Sequence, residues 1–65
     1  MNEIELKALR YVKNTKSSAT VNDFIEDYDP IGRTLWDSLT KQGLVTTLYG
    51  HIVLTVKGST ALRSK

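Results

Sequence analysis

Residues 31–55, IGRTLWDSLTKQGLVTTLYGHIVLT, decide how this chain folds. Ile31, Leu35 and Leu39 recur every fourth residue. At about 100° per residue that spacing lines one edge of a helix and turns it toward a core. Gly43 is a good residue for closing such a helix in a left-handed turn. Beyond it the pattern changes from helical to alternating, and residues 44–49 and 51–55 are rich in β-branched and aromatic side chains. Gly50-His51 fits a two-residue type II′ turn with Gly50 at the position that needs positive φ. That turn predicts Tyr49 opposite Ile52, Thr47 opposite Leu54 and Val45 opposite Val56, with Leu48 against Val53 and Thr46 against Thr55 on the other face. A lone hairpin is marginal in water, so its more apolar face must rest on helices.

The flanking sequence supplies them. Asn2, with Glu5 three residues later, is a capping box for a first helix. Ile4, Ala8, Leu9 and Val12 follow at helical spacing, flanked by Leu6 and Tyr11, while Lys7, Arg10 and Lys13 fall mostly on the other side. Residues 14–18, NTKSS, make a polar loop. Thr20 caps a second helix through the amide of Asp23. Val21, Phe24, Ile25 and Tyr28 form its apolar stripe; Asp23, Glu26 and Asp27 face away, and Asp29 follows. Asp29-Pro30 reads as N-cap and first helical residue of a third helix over residues 30–42. Opposite its apolar edge lie Arg33, Asp37, Thr40 and Lys41, with Thr34 and Ser38 at one margin and Trp36 at the other. Thr55 caps a last helix from Val56 to about Leu62, with Ala61 and Leu62 inward. Gly58 within it costs about 1 kcal/mol relative to alanine.

Sixty-five residues allow one domain, residues 1–65, and one small core. There is no cysteine, and His51, the single histidine, has no companions for a metal site, so no cofactor or metal is expected. The net charge of +2 is unevenly placed. Residues 1–30 hold four bases and six acids, and residues 31–65 hold five bases and one acid. The surface suited to a polyanion is therefore in the second half. No apolar run approaches a membrane span, and MNEIELKALR lacks a signal-peptide pattern, so a cytoplasmic location is expected. The chain offers no thiol nucleophile and no phosphate-binding glycine loop, and Asp37 with Ser38 are neighbours that do not face each other on a helix. An enzyme is not expected.

The order helix, helix, helix, hairpin, short helix gives an α+β fold. It resembles the winged helix-turn-helix domain of bacterial, archaeal and phage transcription regulators, including the multiple-antibiotic-resistance-repressor type. Two stretches carry the resemblance. Leu39-Thr-Lys-Gln-Gly43-Leu44-Val45 looks like the end of that family's recognition helix running into its wing. Leu54-Thr55-Val56-Lys57-Gly58, followed by Leu62, looks like the strand and capped helix beyond it. The chain departs from the pattern in its very short wing, its acidic second helix and Asp37 on the presumed reading face.

The resemblance implies a DNA-binding transcriptional regulator, encoded by a phage or other mobile element and working as a homodimer, with residues 30–42 in the major groove of double-stranded DNA. Arg33 would read guanine or hold a phosphate, Thr34 and Ser38 would bond bases or phosphates, and Lys41 would contact the backbone. Asp37 would accept from a cytosine amino group, repel phosphate, or pair with Arg33 or Lys41. Tyr49 and His51 would form a wing tip that lacks the usual Arg or Lys. The alternative is a protein–protein interaction module centred on Trp36 and the acidic helix 20–28, because tryptophan is enriched at interface hot spots. Trp36 can equally be a lid on the core.

Overall fold

Residues 2–64 are described by a computed structural model. The chain runs α1 (Glu3–Thr15), α2 (Val21–Asp27), α3 (Gly32–Lys41), β1 (Val45–Leu48), β2 (His51–Leu54) and α4 (Val56–Arg63). It is an α+β architecture of four helices and one antiparallel hairpin among the described residues.

Local chemistry sets most of the boundaries. The Asn2 side chain accepts from the Glu5 amide at 2.9 Å while Glu5 accepts from the Asn2 amide at 3.2 Å, the reciprocal box expected for α1. Thr20 and Asp23 repeat the arrangement at α2. At α4 the Thr55 hydroxyl accepts from the Gly58 amide and donates to the Gly43 carbonyl oxygen at 2.6 Å. One side chain thereby ties the start of α4 to the exit from α3.

The third helix departs from expectation at its start. Asp29-Pro30 is a cis peptide bond, and Ile31 rather than Asp29 occupies the N-cap, with no side-chain cap bond. The segment before α3 turns back on itself, the Ile31 amide donating to the Tyr28 carbonyl at 2.9 Å. Ile31 therefore lies outside the helix and is 42% exposed, not tucked inward with Leu35 and Leu39. Ile4 is corrected in the same way, being exposed while Leu6 is buried. The inward face of α3 is Gly32, Leu35, Trp36 and Leu39. That i, i+3, i+4, i+7 stripe was legible once a glycine is counted as a contact position. A β-carbon on Gly32 would fall within 2.6 Å of the Ile25 Cα, so α2 and α3 pack backbone to backbone there.

Residues 44–54 are β structure as expected, but the register differs. Leu48 pairs with His51, Thr47 with Ile52, Thr46 with Val53 and Val45 with Leu54. The two-residue turn is Tyr49-Gly50, both with positive φ (52° and 81°), not Gly50-His51. Those signs match a type I′ turn. The partner of Ile52 has moved from Tyr49 to Thr47, a slide of two along β1, so the alternation of faces is preserved. The hairpin is also held from its outer edge. The Ile52 amide donates to the Ala19 carbonyl at 2.9 Å, and His51 bridges to Thr20 on the outer edge of β2. This single bridge ties β2 to the segment before α2, and Ile52 is fully buried.

The core joins Ala8, Leu9 and Val12 of α1 to Phe24, Leu35, Trp36 and Leu39 of α2 and α3 and to Leu44, Val45 and Ile52 of the hairpin. Phe24 is its aromatic hub. Its ring lies 4.9 Å from Tyr28, 5.3 Å from Trp36 and 5.7 Å from Tyr11. No helix among the described residues is long and apolar enough to cross a membrane.

Candidate nucleic-acid interface

With Gly32, Leu35, Trp36 and Leu39 inside, the turn of 100° per residue leaves Arg33, Thr34, Asp37 and Lys41 on the outer face of α3, and all of them are exposed. This is most of the expected set. Among the described residues, Asp37 closes no ion pair with Arg33 or Lys41, so the expected i±4 pairing is not formed. A further cation reaches the same end of the helix. The Lys57 stem lies 3.9 Å from where Gly43 would carry a β-carbon, just beyond Lys41. Nothing local in the sequence marks Lys57, because the fold back from α4 to the end of α3 creates the proximity.

Ser38 does not join this face. It is half-buried against α1, where its hydroxyl lies 3.5 Å from Glu5 Oε2 and Gln42 Nε2 donates to it at 3.2 Å. Gln42 Nε2 also donates to Glu5 Oε2 at 3.0 Å. That bond from Gln42, together with the Asn2 amide, holds the Glu5 carboxyl below the usual carboxylate range. The network locks the last turn of α3 to the first turn of α1, so Ser38 positions the helix and is not free to contact a partner.

Of its two expected roles, Trp36 takes that of a core lid, not that of an interface anchor. It is only 6% exposed, with its ring on Phe24, and so is a core residue and not a surface anchor. The hairpin tip presents Tyr49, 93% exposed, beside Leu48 at 55%. His51 is not at the tip; it is half-buried in β2 opposite Leu48. The tip is therefore apolar and phenolic, with no cation of its own.

The acidic side of α2 is partly committed to the fold. The Tyr11 hydroxyl donates to Asp27. Burial first, then this bond and the neighbouring negative charge of Asp27, push the Tyr11 phenol up to about 12 from its ordinary 10.0. A raised folded value means the neutral phenol stabilises the fold fully below pH 10, and this contribution is lost as pH climbs toward 12. Phenolate absorbance should show Tyr11 titrating late, with Tyr28 also raised by burial and by the charge of Asp27. In Asp27→Asn the Tyr11 transition should move part of the way back, burial keeping it raised; a transition unmoved by the substitution would separate Tyr11 from Asp27.

No protein-family model matches this chain, and no curated protein or solved structure matches it.

Proposed function

We propose that this chain is a small DNA-binding transcriptional regulator of winged-helix type that sets the outer face of α3 in the major groove. The observation that carries the reading is the sorting of α3. Its apolar residues are inside, while Arg33, Thr34 and Lys41 stand exposed on a helix that feeds straight into a hairpin. In this reading Arg33 bonds a guanine edge or a phosphate, Thr34 bonds a base edge, and Lys41 with Lys57 holds the backbone. Asp37 disfavours most sequences and favours one that offers it a cytosine amino group. Tyr49 meets the duplex at the hairpin tip through its ring and hydroxyl. One domain of this size makes few base contacts, so two copies on paired half-sites provide the specificity. Such a protein works in the cytoplasm, on the DNA it controls.

The reading of a protein-interaction module loses its centre because Trp36 is enclosed. In this reading α2 does not dock on the duplex, because its exposed Asp23, Glu26 and Asp27 would repel phosphate.

The test is the affinity for a mixed-sequence 20-base-pair duplex at two salt concentrations, read by fluorescence anisotropy. The wild type should bind with a Kd on the order of 10⁻⁴–10⁻⁶ M, weakening as salt rises because counterions are released. Arg33→Ala with Lys41→Ala should weaken binding and flatten the log–log salt slope by about two. No binding, or binding indifferent to both salt and the double substitution, ends the proposal.

A further inference from the structure

On the other side of α4 from the Gly43 junction, the structure holds a cleft of about 470 Å³. Its apolar wall is Leu54, Val56 and Leu62, and its cations are Lys13, from the last turn of α1, and Arg63, from the last turn of α4. Thr55 and Ser59 complete the lining. No carboxylate lines the cleft among the described residues. It is an open surface depression whose apolar lining and few polar groups suit a small ligand laid across it.

We infer that this cleft binds a small amphipathic organic anion, a carboxylate carried on a hydrocarbon body. Charge selects the head. Lys13 and Arg63 are both exposed and both line the cleft, so a bound anion can gain charge-assisted hydrogen bonds from either. The hydrocarbon wall selects the tail. Val56 is 85% exposed at the first position of α4, and Leu54 and Leu62 are half-buried, so a chain laid across them removes apolar surface from water. Neither an inorganic anion nor a neutral alkane satisfies both requirements. The long stems of Lys13 and Arg63 can lie along the tail while their heads hold the carboxylate. The site is independent of any role for α3.

Octanoate is the probe, titrated into the full chain below its micelle concentration and followed by amide shifts. Octanol and octylammonium serve as the neutral and cationic controls. Saturable shifts are expected at Lys13, Leu54, Val56, Ser59, Leu62 and Arg63, with octanoate binding at least tenfold tighter than either control. Lys13→Ser with Arg63→Ser should weaken octanoate about tenfold and leave octanol unchanged. Val56→Asp should also weaken octanoate about tenfold without lowering the melting temperature, because an acid suits a helix N-terminus. Three results overturn the proposal: equal affinity for the three probes, shifts centred on Leu48 and Tyr49, or cleft shifts that follow protein concentration without octanoate. The last would place a second copy of the chain there.

Discussion

Gly58→Ala should destabilise this protein by about 2 kcal/mol or more, although alanine is the better helix former. The two effects oppose each other. Removing a glycine from α4 gains about 1 kcal/mol of helix propensity. The new methyl, however, would overlap the Leu44 carbonyl oxygen and sit 3.1 Å from both the Leu44 carbonyl carbon and Leu54 Cδ2. A side-chain end could swing away, but Leu44 is backbone held in place. Its carbonyl accepts from the Thr55 amide at 3.1 Å and its amide donates to Leu39. The clash therefore wins. For a domain of this size about 2 kcal/mol lowers Tm by roughly 10 °C. A thermal melt of Gly58→Ala that matches or exceeds the wild type would show that α4 does not press on Leu44.

Phe24→Ala is expected to have the largest effect of all, about 3–5 kcal/mol. Phe24 is fully buried and touches Tyr11, Tyr28 and Trp36, so its ring joins α1, α2 and α3 at one point. A core this small rarely supplies more than about 3–5 kcal/mol in total. The variant should consequently be unfolded at 25 °C, with lost near-ultraviolet dichroism and collapsed amide dispersion. A cooperative melt shifted by only a few degrees would mean that the aromatic cluster is not the keystone of the core.

Capping chemistry made much of this fold legible. Asn2 with Glu5, Thr20 with Asp23, and Thr55 with Gly58 are local pairs, and each appears in the structure as expected. The alternation of residues 44–54 also carried over, because a two-residue slide leaves inside residues inside. What failed were features decided by contacts distant in sequence. The bond from Ile52 to Ala19 joins residues far apart in the chain, and no local pattern announces it. Tyr49 adopts a left-handed backbone uncommon for an aromatic residue, so turn statistics favoured the wrong pair. The fourfold spacing with Leu35 and Leu39 points Ile31 inward, but α3 starts at Gly32, and Ile31, ahead of it, is exposed. On the candidate interface, Arg33, Thr34, Asp37 and Lys41 were readable from helical periodicity. Ser38 was not, because its assignment depends on Glu5 and Gln42 meeting across two helices.

The strand-like contact between residues 19–20 and β2 has a consequence for how the molecule assembles. Each helix can nucleate from neighbours a few residues away. The docking of the hairpin, by contrast, needs the loop ahead of α2 in place, and that meeting requires closure of a long loop. Neither the leading nor the trailing half of the chain contains a complete set of partners for its own apolar groups. The protein should therefore form and dissolve as one cooperative unit, with hairpin docking among the late events and no stable half-assembled species along the route.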